Sequence, residues 1–207
     1  MTSPVSINLV WLIVGLPALV ALSGALGWLL CRKRTLEMIQ FGHTDMVTEV
    51  SNLAEFQRCL RREIERSKMR QSALSLILLD LDGLHQINEQ HGYSGGDRLL
   101  RGFASFIKGR VRPSDVVARY RQGDEFAILA PDTTEHAATE LVDQFRRDAE
   151  PYFIGDEADG MMMPVRFSAG IAAFDAKTDD PNSLQDKAEA ALASAKKSNK
   201  SVAVQGS

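Results

Sequence analysis

Apolar and polar positions fall along this chain in blocks of recognisable period. Ile7 to Leu30 reads INLVWLIVGLPALVALSGALGWLL, without a charged residue. About 20 apolar residues suffice for a helix to cross the hydrocarbon core, so residues 7–30 predict one transmembrane helix. Arg32, Lys33 and Arg34 follow at once, and no Lys or Arg precedes the run. The positive-inside rule then predicts a single-pass protein of the inner (cytoplasmic) membrane with residues 32–207 in the cytoplasm. A cleaved leader fits poorly, because the segment lacks a positive n-region and its apolar run is too long. Residues 31–70 predict a connecting segment, helical from 33 to 70, with Leu53, Phe56, Leu60 and Ile64 at helical spacing.

The remaining blocks alternate between the two periods. Ala73 to Leu81, ALSLILLDL, suits a buried strand. Leu84 to His91 suits a short helix, and Gly95-Gly96-Asp97 a turn into a second helix over Arg98–Val111. Val116–Tyr120 and Phe126–Ala130 predict two strands joined by a tight turn. Helix is predicted over Thr134–Ala149 and Leu184–Ser198, with strands over Val165–Phe174 and Val202–Gln205. This order predicts an α/β (α+β) sandwich of the ferredoxin-like kind, built on a central, mostly antiparallel sheet.

Composition narrows the function classes. The chain has 207 residues, 44% hydrophobic and 25% charged, which after the membrane segment leaves enough for one domain with a core. A net charge of -3 gives no basic field for DNA or RNA. Cys31 and Cys59 match no metal spacing, and a reducing compartment is the simpler reading.

The candidate chemistry is acidic. Asp80 and Asp82 end the first strand as Asp-Leu-Asp, and Asp124 and Glu125 sit at the hairpin turn. One such carboxylate alone is a solvated turn residue. Four at the ends of apolar strands would repel one another without a cation. Hard oxygen ligands favour Mg²⁺, which joins one or two carboxylates to substrate phosphates. That is the chemistry of phosphoryl or nucleotidyl transfer.

Dispersed motifs add a resemblance. Leu79-Asp80-Leu81-Asp82-Gly83-Leu84-His85-Gln86-Ile87-Asn88, then Gly92, then Gly96-Asp97, is similar to the "DIDxFKxxND…GHxxGD" stretch of the GGDEF-domain (diguanylate cyclase) family. Gly123-Asp124-Glu125-Phe126 resembles its signature, Asp45 to Phe56 its opening motif, and Ala188 to Lys200 its closing one. The likeness spans residues 45–204, which are identified as a GGDEF domain. It implies an enzyme that condenses two GTP into cyclic di-GMP and pyrophosphate across a homodimer. It further implies two Mg²⁺ ions per active site, replaceable by Mn²⁺, on Asp80, Asp124 and the Leu81 carbonyl. Asp124 or Glu125 would orient or deprotonate the attacking hydroxyl. Asn88 and Asp97 would read guanine. Gly83, Leu84 and His85 would cradle the terminal phosphates through their backbone, with Gly123 also against substrate. Lys196 and Lys200 would hold the triphosphate. Arg112 and Asp115 match the family's RxxD inhibitory site for cyclic di-GMP.

The family turn is usually Arg-Tyr-Gly-Gly-Asp-Glu-Phe, whereas this chain has Arg119-Tyr120-Arg121-Gln122-Gly123-Asp124-Glu125-Phe126, one residue longer and one glycine shorter. A one-residue slip inside a strand would turn its side chains to the opposite face, and a bulge or enlarged turn would absorb it. His85, Ala193, Asn199 and Lys200 stand where the family usually has Lys, Tyr, Gly and Arg. Two readings follow: a membrane-tethered diguanylate cyclase, or a catalytically degenerate GGDEF domain that binds cyclic di-GMP or GTP as a regulatory scaffold.

Overall fold

All eight residues of Leu74–Leu81 (β1) are buried, as a strand covered on both faces requires. In the computed structural model, residues 42–121, 123–156, 161–197 and 202–205 are described. Along the chain follow α1 (Leu53–Arg70), β1, α2 (Leu84–Lys108), β2 (Val116–Arg119), β3 (Glu125–Pro131), α3 (Glu135–Ala149), β4 (Phe153–Asp156), β5 (Met161–Pro164), β6 (Phe167–Ala173), α4 (Pro181–Lys197) and β7 (Val202–Gln205). The main sheet has the order β2-β3-β1-β6-β7. Its pairs are antiparallel except β6 with β7, which is parallel. With β7 and the β4–β5 hairpin set aside, β1-α2-β2-β3-α3-β6 is the ferredoxin-like unit expected from the sequence.

Successive side chains of β1 point to opposite faces, and the two faces bury separate cores. Ile77, Leu79 and Leu81 pack with Phe103 and Phe106 of α2 and Phe145 of α3. Leu74, Leu76 and Leu78 pack with Phe56 and Leu60 of α1 and Leu192 of α4. Asp80 has the parity of the second set, so it faces α1 and α4. Helix α4 lies against β6 because Gly170 has no side chain: a Cβ there would sit 2.3 Å from the Leu192 backbone nitrogen. That approach sets the height of Lys196, one turn beyond Leu192.

Three local expectations are corrected. The predicted helix over 33–70 begins, among the described residues, only at Leu53. Before it, Asp45 accepts hydrogen bonds from the Val47 and Thr48 amides and the Thr48 hydroxyl, and the Asn52 side chain caps the helix. Short polar side chains of this kind compete with helical pairing and favour turns and caps. The two helices expected over 84–111 are both present within the run Leu84–Lys108, but the break between them falls at Gly92 (φ 68°, ψ 179°) and the second begins earlier than Arg98 and ends at Lys108. Gly95 and Gly96, taken as a turn, are buried within that run. The β4–β5 hairpin carries no alternation in sequence; Ile154 anchors it by packing over Gly102, within 2.5 Å of where a Cβ would lie. The anchor expected over residues 7–30 lies outside the described residues. Among those described, no helix is long and apolar enough to cross a membrane.

Gly170→Ala must displace α4 backbone and is expected to cost about 1–3 kcal/mol in urea unfolding. Gly109→Ala meets only an ordinary contact, 3.5 Å from the Ser105 carbonyl, and is expected within about 0.5 kcal/mol of wild type. Equal losses at both positions would contradict this account of the α4 contact.

Candidate active site

The register of the sheet gathers the acids. Asp80 pairs with Glu125 across β1–β3 and with Ser168 across β1–β6. The Leu81 amide donates to the Asp124 carbonyl at 3.0 Å, and the Asp82 amide to the Arg166 carbonyl at 2.9 Å. Three of these carboxyls are raised above their ordinary range. Burial pushes the Asp80 carboxyl up, the Lys196 hydrogen bond opposes this, and the charge of Asp124 adds to the rise. Asp82 is raised by burial first and then by the charge of Asp80. Glu125 is raised by burial, with Arg121 opposing and Asp80 and Asp124 contributing. Lys196 Nζ, from the last turn of α4, donates to Asp80 Oδ2 at 2.5 Å. Its partner is 8% exposed, so that carboxylate is held by a cation in a largely dry position.

The strands on either side of the hairpin turn are in register. Arg119 pairs with Phe126, and the Tyr120 amide donates to the Glu125 carbonyl at 2.9 Å. Two arginines hold that turn from opposite sides. Arg119 Nη1 lies 3.3 Å from Asp45 Oδ1, while its Nη2 donates to the Gly123 carbonyl. Arg121 Nη2 donates to Glu189 Oε1 on α4, and its Nε lies 3.8 Å from Glu125 Oε2. The Tyr120 hydroxyl donates to the same Glu189 oxygen at 2.7 Å, and burial with this acceptor raises the phenol above its ordinary range.

A second group lies on α2. Gly96 has no room for a side chain because Asn88 Oδ1 would lie 2.0 Å from its Cβ. The missing side chain brings the Asn88 amide across the helix break, next to the turn of helix that carries Asp97. Both are half-buried. Gly83 caps α2 without a side-chain hydrogen bond, and its carbonyl accepts from the Ile87 amide at 3.1 Å. The Leu84 and His85 amides follow at this helix N-terminus, a position that favours anions. His85 itself pairs with Glu89 at 3.2 Å in solvent. Arg112 and Asp115 form a closed turn: the Arg112 amide donates to Asp115 Oδ2 at 2.9 Å and the Asp115 amide to the Arg112 carbonyl at 3.0 Å. The Arg112 side chain is exposed. Lys200 and Gln122 lie outside the described residues.

Among the described residues no group of three or more His, Cys, Asp and Glu side chains is arranged to hold a metal alone. The donor chemistry nevertheless fits Mg²⁺. Asp80 and Asp124 offer carboxylates and Leu81 a peptide carbonyl, all hard oxygens, and Mg²⁺ completes its shell with water and substrate phosphate. Sequence reasoning assigned no role to Asp45, Arg119, Tyr120, Arg121 or Glu189. Asp45 and Arg119 are 74 positions apart and Arg121 and Glu189 68 apart, so periodicity carries no trace of either pair.

Comparison with known proteins extends over this whole domain. The model of the GGDEF family, described as "Diguanylate cyclase, GGDEF domain", matches residues 42–201. Cyclic di-GMP phosphodiesterase NbdA of Pseudomonas aeruginosa is 32% identical over 136 residues, covering 65% of this chain and 17% of that protein. Diguanylate cyclase DgcP of the same organism is 30% identical over 159 residues, covering 76% of this chain and 23% of DgcP. The solved GGDEF domain of Pseudomonas aeruginosa TpbB is 30% identical, with a TM-score of 0.72, covering 79% of this chain and 95% of that one. The chain spans less than half the length of the curated relatives it matches. The shared region takes in the acid cluster, the turn and the helix break alike, and by it the chain belongs to the GGDEF-domain, diguanylate cyclase family.

Proposed function

We propose that this protein is a membrane-tethered diguanylate cyclase acting as a homodimer. The observation that carries this reading is the register that pairs Asp80 with Glu125 and hydrogen-bonds Leu81 to Asp124, because it gathers oxygen donors at one strand end. Each protomer presents one GTP. The 3′-hydroxyl oxygen of one GTP bonds to the α-phosphorus of the other, the α–β phosphoanhydride bond breaks, and pyrophosphate leaves with the bonding pair. Asp124 or Glu125 orients the hydroxyl and takes its proton. The reciprocal transfer closes the ring, so two GTP give one cyclic di-GMP and two pyrophosphates. Asp80, Asp124 and the Leu81 carbonyl hold two Mg²⁺ ions, for which Mn²⁺ substitutes, and bound metal supplies positive charge where the phosphate oxygens become more negative.

The other residues bind and orient. The Asp97 carboxylate accepts from two guanine N–H groups and the Asn88 amide both donates and accepts, a pattern that adenine cannot satisfy. Gly83, Leu84, His85 and Gly123 contact substrate through backbone, and Lys196 and Lys200 neutralise the triphosphate. For Lys196 this entails leaving or sharing Asp80 once metal and nucleotide bind. Arg112 and Asp115 form an inhibitory site for cyclic di-GMP, where Arg stacks on guanine and forks onto phosphate. Residues 7–30 anchor the chain in the inner membrane with the domain on the cytoplasmic side.

The purified 207-residue chain, given GTP and Mg²⁺, is expected to form cyclic di-GMP, measured by chromatography. Chelation should abolish the activity and Mg²⁺ or Mn²⁺ restore it. Asp124→Ala should lower turnover about 100-fold or more. A folded, dimeric sample that makes no product would sink the cyclase reading, and cyclic di-GMP binding without turnover would put a degenerate receptor in its place. Arg112→Ala should leave the initial rate intact and abolish inhibition by added product; unchanged inhibition would remove the site from Arg112. Arg121→Ala separates positioning from stability. Its ion pairs are solvent-accessible, 54% and 33% exposed for the Arg121–Glu189 pair, so denaturation should shift by about 0–1 kcal/mol. Turnover should fall about tenfold or more through misplacement of the turn, and Arg121→Glu with Glu189→Arg should recover part of it.

A further inference from the structure

The outer face of α1 carries charge that the proposed chemistry does not use. This helix has six Lys and Arg against three Glu, a net positive segment in a chain of net charge -3. Its apolar side is committed, with Phe56, Leu60 and Ile64 buried against the sheet. Positions 58, 61, 62, 65 and 69 recur at helical spacing on the opposite side, and all five are exposed. They are Arg58, Arg61, Arg62, Glu65 and Met69.

The acids do not cancel this face. Glu63 is buried and Glu55 mostly covered, so Glu65 is the carboxylate that stands exposed along the line. Arg58 pairs with Glu55, and Arg62 approaches Glu63 at 3.3 Å, yet both arginine side chains remain 54% exposed. Arg61 meets no carboxylate among the described residues. Met69, 81% exposed, ends the line with an apolar side chain.

A second copy of this helix does not fit the face, because a two-fold pair would set arginine against arginine. Arginines beside an exposed apolar group match an anionic bilayer, where cations meet headgroup phosphates and the apolar group enters the acyl boundary. The chain brings such a surface close. The predicted anchor ends at Leu30, and residues 31–52, even fully extended, reach about 75 Å. A tether of that length holds the two surfaces at an effective concentration on the order of millimolar. A contact too weak to recruit a free domain therefore suffices.

We propose that the arginine face of α1 docks the domain onto the anionic lipid surface beside its own anchor. This rests on the tethering part of the function proposed above and not on turnover. Helices α1 and α4 cover one face of the sheet, α2 and α3 the other. Docking through α1 thus turns the layer that carries Asn88 and Asp97 away from lipid, towards soluble nucleotide. Each basic group at an anionic surface strengthens binding about fivefold, and three arginines together about 100-fold.

The test uses the full chain in nanodiscs of phosphatidylcholine, alone or mixed with phosphatidylglycerol. With Cys31→Ser in place and Cys59 buried, a fluorophore is attached at Met69→Cys on α1 or at His136→Cys, an exposed position on α3. Energy transfer to a headgroup-labelled lipid is expected to rise with phosphatidylglycerol for the α1 label and not for the α3 label. It should fall back in about 0.5 M salt. Arg58→Gln, Arg61→Gln and Arg62→Gln combined should abolish the rise and change the melting curve little, since the three side chains are exposed. Equal transfer in neutral and anionic discs, a rise shared by both labels, or a rise that the triple variant keeps would each overturn the docking. Cyclic di-GMP formation on the same discs reads turnover separately. A chain that does not enter discs would remove the tether instead. Titration with vesicles of the two compositions then decides: the wild type should bind the anionic ones about 100-fold more tightly than the triple variant, and equal affinity would overturn the arginine face.

Discussion

The pairing of β1 with β3 is the constraint on which the site depends. Side chains alternate with period two along a strand, so register decides which face each residue occupies. With Asp80 opposite Glu125, Leu79 and Leu81 are committed to the α2–α3 core, and Asp80 to the side of α4. A slip by one position would send the Asp80 carboxylate into a core of phenylalanines. The burial that stabilises the sheet thus also enforces the gathering of the acids. Their mutual repulsion is tolerated because hydrophobic packing on both faces of β1 resists any shift.

Charge is handled differently at different depths. Asp80 is nearly dry and is matched by one close ammonium. The Arg119–Asp45 pair is mostly sheltered, and breaking it would leave a charge without its partner. The Arg121–Glu189 pair stands in solvent and contributes little to folding. Its importance is geometric, because it fixes a turn that the β-ladder alone does not hold. One end of the sheet therefore combines a rigid acidic floor and a turn restrained by arginines.

Much of this was legible in sequence for local reasons. The buried strand, the flanking helices and the ferredoxin-like order follow from apolar periodicity. The acids at the end of β1 and at the hairpin turn could be read because they sit next to each other along the chain. What escaped depended on contacts between distant segments. Asp45 with Arg119 and Arg121 with Glu189 are neighbours only after folding. Helix was expected across residues 42–52 because no proline interrupts them, yet Asp45, Thr48 and Asn52 supply side-chain acceptors and donors that win over helical pairing. Gly95 and Gly96 suggested a turn, but the break falls at Gly92, and Gly96 serves the approach of Asn88.

The two arginine clamps also set the limits of the working fragment. Asp45 lies near the beginning of the described domain and Glu189 in its last helix, and both are tied to the same short turn. A shortened chain that starts after Asp45, or stops before Glu189, would keep every residue of the signature and most of the hydrophobic core. It would lose one of the two struts that aim Asp124. The boundaries of this module are drawn by where its turn is braced as much as by where its core closes.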